Sequence, residues 1–224
     1  MIPVLPALVQ LRCGEKFFKA IAGVRVNGAV SIWSGGECIA RDTGEIQLTD
    51  YGISGIPVFQ VSRYASQLLY EKKEVIAVLD FMPDFTEEQT EAFLSARAKT
   101  RPEKPLEMFL IGLFHKKLSE LLIKEVGLPR SRAAGDLTAE EIKKLVRLIK
   151  NFRLHVTSTN SYEQAQVCRG GIDTAEVDEN TLESRFVPGL YFAGEILDVD
   201  GMCGGYNLQW AWASGYTAGK NSCC

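Results

Sequence analysis

The chain has 224 residues, 46% of them hydrophobic and 24% charged, with a formal net charge of -3. That is enough apolar material for at least one buried core, and charges mixed in both signs exclude the basic field needed to neutralise phosphates along DNA or RNA. No apolar run reaches the roughly 20 residues of a membrane helix, and residues 1–15 lack the charged-then-apolar layout of a signal peptide, so a cytoplasmic protein with no nucleic-acid or membrane partner is expected.

The first eighty residues read as short strands at 7–11, 23–26, 29–33, 38–42 and 45–48, punctuated by turns at Asn27-Gly28, Ser34 to Gly36 and Asp42 to Gly44. This spacing predicts a small β-sandwich or barrel. The segment from Asp50 to Pro57 breaks the pattern, a helix is predicted over 58–70 from apolar residues at Val58, Val61, Ala65, Leu68 and Leu69, and a strand returns at 75–80. From Thr86 the period becomes helical. Thr86 followed by Gln89, and Thr138 followed by Glu141, are capping-box signatures opening helices to about Lys99 and Asn151, with further helical segments at 105–114 and 116–126. Lys143, Lys144, Arg147 and Lys150 fall on what reads as a solvated helix face. Strands are expected again at 152–157, 164–168 and 189–193, then an Ala/Gly-rich helix over 206–220. The composition divides the chain into a β-rich domain (1–84), a helical insertion (85–152) and a β-α segment (153–224).

The six cysteines (Cys13, Cys38, Cys168, Cys203, Cys223 and Cys224) show no C-x-x-C spacing, and there are only two histidines. Neither a zinc site nor a disulfide framework is indicated, and reduced thiols are expected. Cys223 and Cys224 read as a frayed end or as reactive thiols.

The most informative segment runs from Val187 through an apolar stretch to Gly194-Glu195. At the carboxyl end of a strand in a doubly wound sheet, a glycine lets backbone approach a cofactor, and an acid suits hydroxyl recognition. The plain alternative is a buried strand and an ordinary turn. The loop that follows carries Asp198, Asp200 and Gly201 and places Gly204-Gly205 directly before a helix opened by Tyr206, Asn207 and Leu208. Free N–H groups at a helix N-terminus stabilise an electron-rich group such as a reduced isoalloxazine.

Taken together, the stretch Gly189 to Gly201 and the stretch Gly204 to Trp212 resemble the C-terminal signature of a bacterial family of NAD(P)/FAD-dependent oxidoreductases related to the glutathione-reductase-type flavoproteins. Some of its members are described as aminoacetone oxidases or bile-acid dehydro-reductases. Gln166 to Ile172, Thr181 to Ser184 and Asp50 to Pro57 are similar to further segments of that family. The resemblance implies an α+β or α/β fold: a β-rich domain with a helical insertion, plus the C-terminal strands and helix of an incomplete Rossmann-like FAD-binding domain. It implies FAD contacts at Gly194, Glu195, Gly204, Gly205, Tyr206, Asn207 and Leu208, with Gly170 and Gly171 near the flavin ring and Asp200 in the acid-rich loop beside them. No Gly-x-Gly-x-x-Gly turn for the ADP moiety occurs in the sequence, so weak or absent FAD binding by this chain alone is expected, with an exposed sheet edge that favours a homodimer.

The function implied is flavin-mediated hydride or electron transfer on a small organic substrate, with NAD(P)H as a possible partner. Tyr51, Tyr206 and His155 are the candidate acids or bases, each with an ordinary structural role as its alternative. Cys168 and Cys203 read either as packed thiols or as thiols facing the flavin. Two other readings compete: a non-catalytic protein-interaction module that keeps the flavoprotein fold, and a stand-alone enzyme, for which neither a Ser/His/Asp set nor a metal cluster can be assembled.

Overall fold

The computed structural model describes residues 1–222; Cys223 and Cys224 lie outside the described residues. Its centre is a closed six-stranded barrel, which resolves the sandwich-or-barrel alternative. The strands are β2 (Leu11–Cys13), β3 (Val24–Ser34), β4 (Glu37–Leu48), β5 (Gly52–Ser54), β6 (Ile76–Asp80) and β7 (Phe152–Thr159), in the order β2-β5-β4-β3-β6-β7, and β2 pairs with β7 to close the ring. Every pair is antiparallel. A short β1 (Ile2–Ala7) precedes the barrel, and a short helix α1 (Phe18–Ile21) links β2 to β3.

The expected turns at Asn27-Gly28 and at Asp42 to Gly44 are not turns. Each lies inside one long strand, and Gly28 pairs directly with Gly44 across the ladder. The reason at Gly28 is steric: a Cβ there would stand 2.6 Å from the Asp80 carbonyl on β6. Glycine inside a strand marks such a close approach of backbone. The expected strand over 7–11 also differs, because the chain breaks at Leu8, whose φ is 48°, and separates β1 from β2.

Helix α2 (Ile56–Tyr70) starts after Gly55, whose φ is 108°, and buries Val58, Val61, Ala65 and Leu68 at helical spacing. It packs on β1, β3, β4 and β7. Between β6 and β7 hang α3 (Glu87–Thr100), α4 (Leu106–Phe109), α5 (Lys116–Glu125) and α6 (Ala139–Lys150). Both capping boxes form, at Thr86/Gln89 and Thr138/Glu141, but the helix expected over 105–114 shrinks to one turn. The helices share a core with the barrel: Phe81 lies 5.4 Å, ring to ring, from Phe152 and 6.1 Å from Phe114. Lys150 is 91% buried and pairs with Asp80 at 2.7 Å, so it belongs to this junction and not to the solvated face.

After β7, β8 (Val167–Gly171) pairs antiparallel with β1 as a separate two-stranded sheet, and the last element among the described residues is α7 (Tyr206–Ser222). The strand expected over 189–193 does not form; Tyr191 makes one isolated bridge to Glu183, and Gly194–Ile196 is a 3-10 turn. Among the described residues no helix is long and apolar enough to cross a membrane.

Candidate functional site

The C-terminal segment has its own small core of Val177, Leu182, Leu197 and Ala218, with Trp210 and Phe192 packed against it. Four buried residues are few for a stable unit, and specific polar contacts supply the rest. Gly194, at φ 73°, is clasped by α7: its N–H donates to Ser214 Oγ at 2.9 Å and its carbonyl accepts from Trp210 Nε1 at 3.1 Å. Asn207 turns back onto Gly201, accepting from its N–H at 2.7 Å and donating to its carbonyl at 3.1 Å. That side chain closes the loop before α7.

The acids of the loop are likewise held by the chain itself. Asp198 accepts from the Gly170 N–H at 2.7 Å, and Glu195 accepts from the Cys168 N–H. Asp200 is fastened to the barrel through Arg63 of α2, whose Nη1 and Nη2 donate to the carbonyls of Asp200 and Gly201 at 2.7 and 2.8 Å. Nη1 also lies 3.0 Å from Asp200 Oδ2, a charge contact without hydrogen-bond alignment, which leaves that buried oxygen without a donor. Burial pushes the Asp200 carboxyl up, against the pull of Arg63. The thiol of Cys203 donates to Gln166 Oε1 at 3.6 Å while its backbone N–H donates to Gln60.

The anticipated cofactor residues thus separate into two groups. Gly170 and Gly171 are buried, and their lack of side chains is required by the chain itself: a Cβ would stand 2.0 Å from the Pro3 carbonyl at the first and 2.3 Å from the Ile196 carbonyl at the second. Asp200 and Asn207 are spent on anchoring. Gly204, Gly205, Tyr206 and Leu208, by contrast, lie open at the surface. Gly204 and Gly205 have φ of 123° and 94°, and nothing stands within 4 Å of a Cβ built on Gly205. Beyond them, Leu208, Trp212 and Tyr216 form an exposed stripe four residues apart along α7.

One shallow, mostly apolar recess of about 380 Å³ brings Gly171, Glu195, Cys168 and Ile196 together with Met1 and Val4. Burial, then the neighbouring Glu195 carboxylate, pushes the Cys168 thiol up, which keeps it protonated and weakly nucleophilic. Of the three candidate acids or bases, only Tyr206 belongs to the C-terminal segment, and it does not line this recess. Tyr51 lies under the Arg12 guanidinium, 4.8 Å from its ring centre, and His155 Nδ1 pairs with Glu15 at 3.0 Å, both on the barrel. Arg63, the main anchor of the loop, carried no signal in the sequence because its partners are distant along the chain.

Comparison with known proteins adds a family to this geometry. Residues 5–167 match the HI0933-like protein barrel and H2TH domain. The chain is 45% identical to the 3-dehydro-bile acid delta(4,6)-reductase of Clostridium scindens over 218 residues, covering 97% of this chain and 53% of that protein. It is 32% identical to the ribosomal RNA dihydrouridine synthase of Haemophilus influenzae, covering 96% and 51% respectively. The Escherichia coli K12 protein of the same name is 31% identical, with 91% and 47% covered. The chain spans about half the length of these relatives.

Proposed function

The chain belongs to the HI0933-like family, and from that premise we propose that it forms the barrel and flavin-facing part of an FAD-dependent oxidoreductase acting on a small organic substrate. The observation that carries this reading is the open, positively twisted backbone of Gly204-Gly205 at the start of α7, held to the barrel by Arg63 and closed by Asn207. The first N–H groups of a helix have no intrahelical acceptor, and side chains are absent where an electron-rich group would have to approach them. These residues fit a flavin. Gly204 to Leu208 would supply backbone contacts, and Glu195 and Tyr206 would stand at the edge of the site.

A bound flavin supplies hydride and electron transfer. The residues of this chain hold the loop rigid and keep the Cys168 thiol protonated, so that it does not compete as a nucleophile. The names of the relatives, a bile-acid reductase and two dihydrouridine synthases, support reductive chemistry. The 45% identity favours a ring-bodied organic acid over a nucleic-acid substrate, in keeping with the net charge of -3. NAD(P)H as donor, a cytoplasmic location, and completion of a Rossmann-like sheet by a segment corresponding to the unmatched half of the relatives belong to the same proposal.

The test is flavin absorbance after mixing with excess FAD and removing unbound cofactor, with and without the remaining half of the bile-acid reductase relative supplied as a second polypeptide. Retention of FAD by the pair, and its loss in Gly205→Val without unfolding, is the expected result. A colourless pair would sink the flavoprotein reading. The exposed stripe Leu208, Trp212 and Tyr216 favours the second reading, a non-catalytic interaction module, which predicts a stable complex that never retains flavin.

A further inference from the structure

A second concave feature lies away from the C-terminal segment. It is a cleft of about 1050 Å³ between α1 of the barrel and α5 of the helical module, and every residue lining it falls between Glu15 and Arg130. That volume is at the upper end of small-molecule sites. Its apolar lining comes from Phe17, Ile21, Leu121 and Leu128. Phe17 is fixed by ring contacts to Phe18 at 5.1 Å and Phe152 at 5.5 Å, and Lys117 Nζ, donating to the Ala22 carbonyl at 2.9 Å, straps one wall to the other. The cleft is therefore formed before any ligand arrives.

Its charges are unevenly committed. Glu15 is turned inward, with Oε1 on the His155 backbone N–H and ring and Oε2 buried. Glu120 pairs with Arg130 at 2.7 Å. Lys16 and Lys124 are exposed, line the cleft and have no partner among the described residues, against one carboxylate, Glu125, in the same condition. An apolar floor beside two uncommitted ammonium groups matches a molecule with an apolar body and a single anionic head.

We propose that this cleft binds an amphipathic organic carboxylate, with its hydrocarbon body on Phe17, Ile21, Leu121 and Leu128 and its carboxylate between Lys16 and Lys124. The site shares no residue with the proposed flavin-facing region, so it stands whether or not that reading holds. It gives the barrel and helical module a ligand of their own, bound where the two meet.

The experiment is isothermal titration of the full chain with sodium dodecanoate below its micelle concentration, with dodecyltrimethylammonium as the cationic control. One saturable site for dodecanoate is expected, weakened about tenfold or more in the double variant Lys16→Glu, Lys124→Glu, with no matching site for the cation. Both lysines are exposed, and an unchanged circular dichroism spectrum verifies that the variant is folded. Undiminished binding by the double variant would place the amphiphile elsewhere, as on the exposed stripe of α7, and overturn the proposal; so would equal uptake of the cation, or no saturable uptake.

Discussion

Arg63 and Asp200 stand 137 positions apart in the chain, yet the guanidinium of the first grips the second by its carbonyl, at 2.7 Å, and by its carboxylate, at 3.0 Å. Arg169 adds a donor to the Arg63 carbonyl at 3.1 Å. This small network is the main polar tie between the glycine-rich loop and the barrel. Arg63→Ala would leave a half-buried carboxylate without its cation, a change expected to cost about 2 kcal/mol. Hydrogen exchange should show faster exchange over residues 198–206 with the barrel strands unaffected; equal acceleration throughout would mean that the tie is not local.

Gly52 offers a sharper steric test. A Cβ at this position would stand 2.1 Å from the Leu11 carbonyl and 3.0 Å from the Arg12 Cα, both backbone atoms of the neighbouring strand β2. Gly52→Ala must push β2 from β5 and loosen the barrel closure. A loss of about 2–3 kcal/mol in urea unfolding is expected, whereas Gly219→Ala, on α7 with open space around it and ordinary helical backbone, should not destabilise the protein.

Glu141 provides the pH dependence. Arg132 reaches both of its oxygens, at 2.6 and 3.0 Å, and the Thr138 N–H donates to it at 2.8 Å. Arg132 first, and the helix cap second, hold this carboxyl down at about 2. The folded value lies below the unfolded one, so the ionised group favours the folded state above the ordinary carboxylate range, and that contribution is lost as the pH falls toward about 2. Melting temperatures of the wild type and Glu141→Gln should differ at neutral pH and converge in acid. The pair stays partly exposed to solvent, and the difference should stay under about 1 kcal/mol.

The thiols should react in an order set by burial. Cys38 is exposed, whereas burial, followed by the nearby Glu15 carboxylate, pushes the Cys13 thiol well above its ordinary range. Iodoacetamide at neutral pH should therefore label Cys38 in the folded protein and Cys13 only after unfolding, as peptide mass spectrometry would read. Early labelling of Cys13 would show that β2 opens in the native state.

The features readable from the sequence are the local ones. Thr86 with Gln89 and Thr138 with Glu141 announce their helices because a capping box is complete within four residues. The barrel is half legible: strand-forming stretches stand out, but Gly28 and Gly44 read as turns, because the close approach of the β6 backbone to Gly28 and the packing of Pro57 against Gly44 come from elsewhere in the chain. At the candidate site the glycines were recognisable while their uses were not. Gly170 and Gly171 serve the packing of Pro3 and Ile196, Gly204 and Gly205 leave the surface open, and nothing nearby in sequence separates the two pairs. Arg63 escaped notice for the same reason.

The helical module leaves the barrel after Asp80 and rejoins it at Phe152, on two strands that are hydrogen-bonded neighbours, with Leu79 opposite Phe152. Its points of departure and return are thus as close as the two arms of an ordinary hairpin. Descendants of this architecture can lengthen, trim or rebuild residues 81–151 without shifting the barrel's register, provided that the aromatic seam at Phe81, Phe114 and Phe152 is refilled. A change of length within the helical module therefore closes over a single strand pair and need not reach the other strands of the barrel.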